Sequence, residues 1–316
     1  MTAVMSNSET PTDRRNAYAK AMNESAHRLS SLTFSRTWLL EVAKENHDIA
    51  KSGSYVNAKS ETVSIKEALK SSIANTKLYN FDQELKPPVK ATLYETKLSV
   101  CYSLLMKAAL AMKKSGTHVG VLNSAHGTTP GGSYMSGCRS LESCICRATL
   151  LYPTLEPYAN DSNSMYQINA SGDFHENVSA SAIFSPNVPI IRKDALEAHL
   201  LDQYSTASFV SLPAPNAFVL AKDQADDETR TCRTRIEDAL YQHISRALLI
   251  LSIQNCTDLV LCTYGCGSRG NSPKMVAKIY KEVLDGPCRG HFKRIIFAIN
   301  PKKEAEYDAF AEVFES

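Results

Sequence analysis

The 316 residues contain no run approaching the roughly eighteen consecutive apolar residues of a membrane-spanning helix, so no membrane partner is expected. The opening stretch, MTAVMSNSETPTDRR, is polar and lacks the apolar core of a secretory signal. An excess of one charge is missing too. Lys and Arg number 35 against 33 Asp and Glu, a formal net charge of +2, and basic runs stop at pairs such as Lys113-Lys114 and Lys302-Lys303. Nothing in that balance favours a nucleic-acid backbone as partner. The cysteines, an odd nine, lack framework or metal spacing. Cys144 and Cys146 stand one residue apart, with no second pair set near histidines. The sequence therefore predicts buried, reduced thiols in a cytoplasmic or nuclear protein, with no metal site and no cofactor.

What is present is enough apolar material, 43% of the chain, for one large α/β domain. Residues 1–13 read as a disordered tail and 14–90 as a helical extension, with a helix over about 15–47 followed by the polar KSGSYVNAKSET. The main domain spans 91–316. Leu98, Tyr102, Leu105, Ala109 and Met112 recur at helical spacing, predicting a helix from Tyr94 to Lys114 with Gly116 as its cap. Buried-strand runs follow at 119–125, 208–214, 258–264 and 294–300. Helices are predicted near 139–151, 229–254, 273–284 and 302–314. Strands alternating with helices predict a three-layer α/β/α fold around a mixed sheet.

Two loops share one logic. After the strand DLVLCTY come Gly265, Gly267 and Gly270, then Ser272 as a helix cap and Pro273 as first helical residue. Closely spaced glycines before a helix start let several backbone N–H groups converge on an anion such as a pyrophosphate. After VLNSA comes the Gly-Pro-rich loop 127–137, where Gly131-Gly132 admits close backbone approach, and then a helix with Glu142 in its first turn. The plain reading of Glu142 is a carboxylate favoured by the helix dipole. Loops of this kind at the carboxyl ends of strands suit a diphosphate-containing nucleotide.

At these residues the chain resembles the microbial poly(ADP-ribose) glycohydrolase family, a branch of the macrodomain fold. The resemblance is carried by Val121-Leu122-Asn123-Ser124-Ala125, Thr129-Pro130-Gly131-Gly132-Ser133, Leu141-Glu142-Ser143, Ile145-Cys146-Arg147 and Leu151-Tyr152. It continues through Ser185-Pro186-Asn187-Val188-Pro189, Arg192, Ala214-Pro215-Asn216, Gly265-Cys266-Gly267, Asn271-Ser272-Pro273 and Val276-Ala277. These matches keep their order over about 90–300. The resemblance implies an ADP-ribose pocket, with ADP-ribose or an ADP-ribosylated protein as partner. Asn123, Gly131, Gly132, Ser133 and Ser143 would stand on the ribose side. Gly265, Cys266, Gly267, Ser268, Arg269, Gly270 and Asn271 would stand around the pyrophosphate. Cys146 and Cys266 become buried motif residues rather than nucleophiles.

The chain also departs from the family. The second Glu of its Gln-Glu-Glu, the one placed at the scissile bond, is Ser143, and the Gln is Leu141. The third Gly of the ribose-side loop is Ser133, and the aromatic residue expected to order the distal ribose is Arg269. Cleaving an ADP-ribosyl bond needs a carboxyl group to protonate the leaving oxygen and activate water, which a serine hydroxyl does not do near neutral pH. Three readings stay open. The chain binds ADP-ribose without cleaving it. Alternatively it hydrolyses through Glu142, with His126 or Arg269 as further ways to stabilise charge. Or the fold serves as an interaction surface that binds no ADP-ribose.

Overall fold

The computed structural model describes residues 35–89, 93–113, 117–172, 178–193, 198–222 and 229–315. The strands are β1 (Ser54–Val56), β2 (Thr62–Ser64), β3 (Lys77–Tyr79), β4 (Lys97–Tyr102), β5 (Val119–Ala125), β6 (Ala182–Arg192), β7 (Leu200–Pro213), β8 (Asp258–Leu261) and β9 (Arg294–Ile299). The helices of the first half are α1 (Arg36–Ser52), α2 (Lys66–Ala74), α3 (Leu105–Met112), α4 (Leu141–Ala148), α5 (Tyr152–Leu155) and α6 (Met165–Ala170). Those of the second are α7 (Ala217–Lys222), α8 (Thr229–Ile253), α9 (Pro273–Asp285) and α10 (Glu304–Phe314).

Seven strands make one sheet in the order β3-β6-β7-β5-β8-β9-β4. From β7 to β4 all neighbours are parallel, whereas β6 runs antiparallel to both β7 and β3. Alternation along the central strands assigns side chains to two faces. Leu122, Leu259 and Leu261 pack with Ile244 and Leu248 of α8 and Val276 and Tyr280 of α9. Val119, Val121 and Val260 point the other way, onto α3, α4 and Tyr166 of α6. The three-layer α/β/α arrangement with a mixed sheet is the one the sequence predicts.

The N-terminal part contributes more than helix. Ser35 caps α1 by accepting the Trp38 N–H at 3.1 Å, and Gly53 closes it at φ +75° with its N–H on Ile49 O. The helix thus ends at Ser52, beyond the expected 47, while 15–34 and the tail 1–13 lie outside the described residues. The polar stretch after α1 carries β1 and leads into β2, which pair as a ribbon, and Leu69 of α2, Tyr55, Val63 and Ile49 build a small third core. β3 then joins the edge of the main sheet.

Other expectations need correction. The helix drawn over Tyr94–Lys114 is a strand followed by a helix. β4 pairs with β9 along its whole length, and α3 begins only at Leu105. Leu98 and Tyr102 fall at helical spacing by coincidence, since on this edge strand Val100 alone is buried. Gly116 lies outside the described residues. The strand expected over 258–264 ends at Leu261, leaving Cys262–Tyr264 to the loop. β7 begins eight residues before the expected 208. β6 was not anticipated, because Pro186, Asn187 and Pro189 read as loop. The structure accommodates them in a register shift between Ser185 and Val188, with Asn187 at φ +46°. The helix expected over 139–151 spans Leu141–Ala148, after which Thr149 turns extended and bridges to Ile190.

Candidate functional site

The register brings the ends of three strands to one sheet edge. Ala125 of β5 pairs with Pro213 of β7, and β8 pairs with β5 on the other side. The loops that follow, from His126, Ala214 and Cys262, therefore leave the sheet side by side.

The first loop is a tight coil. Pro130–Ser136 form a 3₁₀ segment in which Gly131, Gly132 and Ser133 are all left-handed, at φ +68°, +54° and +62°. Glycine suits the first two positions, but Ser133 holds a conformation that costs an L-residue about 1 kcal/mol. A side chain at Gly132 would stand 2.9 Å from Glu142 Oε2 and 3.1 Å from Ser140 Oγ. The coil is fixed from outside by Tyr134, whose hydroxyl donates to Ala43 O of α1 at 3.1 Å. Asn46 of α1 ties the same helix to α4 by donating to Cys146 O and Arg147 O.

Ser140 caps α4 by accepting the Ser143 N–H. The Ser143 hydroxyl is completely buried and shares its proton between Gly131 O at 3.0 Å and Gly132 O at 2.8 Å, while Ser140 Oγ donates to it. The Ser143 side chain is thus a brace for the coil. Glu142 is only 1% exposed. Its Oε2 accepts the His126 N–H at 2.8 Å, and its Oε1 accepts from Asn123 Nδ2 at 3.2 Å. Burial pushes its carboxyl up to about 7, against the hydrogen bonds from His126, Asn123 and Gly131 that favour the ionised form. Asn123 also donates to Ser211 Oγ, and its Oδ1 has no partner among the described residues. The Tyr166 hydroxyl, buried near Glu142, lacks one too.

The late loop is pinned by its glycines and by Asn271. Gly265 is left-handed at φ +72°, and a side chain there would collide with Asn271 and Ala214. Asn271 donates to Pro215 O at 3.1 Å, and its N–H reaches Gly265 O. The Phe218 ring, 59% exposed, covers Gly270 closely. Between these anchors the backbone N–H groups of Gly267, Ser268 and Arg269 have no hydrogen-bond partner among the described residues. A side chain at Gly267 would meet nothing within 4 Å. These three donors lie on an exposed loop shortly before the Ser272-capped start of α9, an arrangement of the kind that can receive an anion.

The two loops feel each other electrostatically. The His126 imidazole is held below its ordinary value by partial burial and then by the Arg269 charge. Its Nδ1 accepts the Thr128 N–H at 3.3 Å, as a neutral ring does. Cys146 is buried as expected. Cys266 is only half-buried, because its loop lies at the surface, although burial still raises its thiol strongly. The wider expectation of buried thiols fails likewise for Cys101, Cys138 and Cys144, which are half-buried, and no described cysteine is in a disulfide.

The structure thus gathers Asn123, Gly131, Gly132, Ser133, Glu142 and Ser143 at one loop and 265–271 at its neighbour. Sequence reasoning did not single out Tyr166, Ser211 or Phe218. Only the fold brings them in, from elements without a motif. A groove of about 700 Å³ lined by Asn57, Lys193, His199 and Asp202 lies at the opposite end of β7 and touches none of these residues. Among the described residues no helix is long and apolar enough to cross a membrane.

Residues 43–193 match the family of the microbial-type PARG catalytic domain. The chain is similar to the crystal structure of poly(ADP-ribose) glycohydrolase from Thermomonospora curvata, with a TM-score of 0.75 and 26% identity over 87% of this chain and 99% of that one. The same enzyme bound to the inhibitor ADP-HPD gives 0.72 and 25%, over 87% and 98% of the two chains. The enzyme from Deinococcus radiodurans in complex with ADP-ribose gives 0.67 and 26%, over 78% and 96%. No curated protein matches the sequence.

Proposed function

We propose that this chain, which belongs to the microbial-type poly(ADP-ribose) glycohydrolase family, binds ADP-ribose across its two Gly-rich loops without cleaving it at a glycohydrolase's rate. Relatives have been crystallised with ADP-ribose and with ADP-HPD, which supports that ligand class here. In this reading the pyrophosphate lies on the free N–H groups of Gly267, Ser268 and Arg269, and the distal ribose extends toward Gly131, Gly132 and Asn123. Asn271 and Gly265 fix the cradle, Cys266 and Gly270 complete its turn, and Ser133 borders the ribose side.

One observation carries the distinction between binding and cleavage. Neither residue at the α4 start offers a carboxylate to a ligand. Ser143 spends its hydroxyl on two glycine carbonyls, and Glu142 is sealed beneath the loop with its oxygens turned inward. A glycosidic bond held here lacks the acid–base group that ordinarily contributes about 10²–10⁴-fold.

A second reading rests on the protonation of Glu142. A carboxyl group near pH 7 is suited to donate a proton at neutral pH, so a loop movement that uncovered it would supply a general acid. Titration calorimetry with ADP-ribose, paired with a hydrolysis assay on ADP-ribosylated protein, separates the two. Binding without turnover is expected. Turnover that disappears in Glu142→Gln would establish the second reading. In Gly267→Val the added side chain enters open space, so the variant should fold normally and lose ADP-ribose affinity. Unchanged affinity there would remove the cradle.

A further inference from the structure

Arg147 carries a charge into the interior with no carboxylate paired to it among the described residues. It sits in the last turn of α4, only 1% exposed, and its Nε and Nη1 have no hydrogen-bond partner there. A guanidinium keeps its proton even when buried, and a buried charge left uncompensated is strongly destabilising. Glu142 on the same helix is held by Asn123 and the His126 N–H, and Glu45 of α1 pairs with Arg192 at 2.7 Å. The third guanidinium nitrogen, Nη2, donates to a sulfur. It lies 3.4 Å from Cys144 Sγ, one turn earlier in α4.

Cys144 is half-buried and not in a disulfide. A thiol beside a guanidinium and near a helix N-terminus ionises readily, and the thiolate supplies the counter-charge that Arg147 otherwise lacks. Arg139 O lies 3.8 Å from the same sulfur, a weak contact for a thiol donor. Cys146, two residues on, is the contrast, because complete burial holds its thiol well above the ordinary range. We propose that Cys144 is a thiolate paired with the buried Arg147 guanidinium, and that it is an oxidation site for hydroperoxides. In that step a sulfur lone pair forms an S–O bond to one peroxide oxygen and the O–O bond breaks. With hydrogen peroxide, the departing hydroxide takes the remaining hydroxyl proton, leaving a sulfenate and water. Sulfur is oxidised and the peroxide reduced. The same guanidinium still has two donors without a partner, so the new oxygen arises beside a group able to donate to it. The inference does not depend on the ADP-ribose reading.

Treating the full chain with dilute hydrogen peroxide tests it, with loss of the Cys144 thiol read by differential alkylation and peptide mass. Fragment ions separate Cys144 from Cys146 within one peptide. At pH 7, Cys144 in the native protein should react at least about tenfold faster than in the urea-unfolded chain, where a thiol ionises near its ordinary value of about 8.5. Half-burial alone would slow it. In Arg147→Gln, with folding checked by circular dichroism, the native advantage should vanish. Should that variant not fold, the pH dependence of Cys144 alkylation in the parent decides, with a midpoint at least about one unit below 8.5 expected. No native advantage, an advantage kept in folded Arg147→Gln, or a midpoint less than a unit below that value overturns the proposal. ADP-ribose binding stands or falls separately.

Discussion

Glu142 is a carboxyl group held away from water, and that has a thermodynamic consequence measurable without any ligand. Its ordinary value of 4.5 rises to about 7 in the folded protein. Between those two pH values the folded state binds more protons at this site than the unfolded chain does. Stability therefore falls as pH rises through this window. The contribution is fully present below about 4.5 and is lost by the time pH passes 7. A shift of that size corresponds to a swing on the order of 3 kcal/mol. Glu142→Gln keeps a side-chain oxygen to accept the His126 N–H but cannot ionise. Urea unfolding of parent and variant at pH 5 and pH 8 should show the variant gaining on the parent as pH rises. A stability difference that does not change with pH would mean that Glu142 is solvated and ionised throughout, and the sealed-carboxyl description would go with it.

At the scale of elements, α4 and the coil before it are one unit. Ser143 braces the left-handed turn, so restoring a carboxylate there asks two things of one position. The double variant Leu141→Gln, Ser143→Glu brings back the family's residues at the helix start. It removes the shared hydrogen bond to Gly131 O and Gly132 O, and it forces a longer side chain into a fully buried site. A loss of about 2 kcal/mol in unfolding stability is expected from the unsatisfied carbonyls and overpacking. The dipole of α4 favours the ionised form of the new Glu and the neighbouring Glu142 opposes it. Hydrolysis of ADP-ribosylated protein should nonetheless rise at least about tenfold over the parent if acid–base catalysis is what the chain lacks. A folded double variant with no gain in turnover would show that the missing carboxylate is not the limiting defect.

The elements also show what the residues alone disclose. Strands β5, β8 and β9 and helices α8 and α9 were legible because their apolar runs are dense and their caps are plain, as at Ser272-Pro273. β4 and β6 were not. β4 is an edge strand whose spacing happens to match a helix, and its identity comes from pairing with β9, a partner nearly two hundred residues away in sequence. β6 carries two prolines and a left-handed Asn, features that mark loops everywhere except at a bulge. For the candidate site, the motif positions were readable as a set, but the direction of each side chain was not. That Glu142 turns inward and Ser143 upward to the glycines depends on Asn123 and on the His126 backbone, contacts set by the sheet rather than by the local sequence.

For the molecule as a whole, the relevant quantity is how little its overall charge contributes to ligand capture. The net charge of +2 is spread over 35 basic and 33 acidic residues, and the surface ion pairs described, such as Lys59–Asp202 and Lys274–Glu312, join highly exposed side chains. Such charges are screened within about 8 Å at physiological ionic strength. The proposed cradle relies instead on backbone N–H groups at 267–269, whose dipoles are fixed by Gly265 and Asn271 and act at contact distance. Affinity for ADP-ribose should therefore weaken by less than about fivefold between 50 and 300 mM salt, in contrast to the steep decline of sites that neutralise many phosphates with Lys and Arg. Calorimetry across that range reads the slope directly. A fall of a hundredfold or more would assign the binding to scattered surface cations, and the fixed loop at 265–271 would lose its place as the anion site.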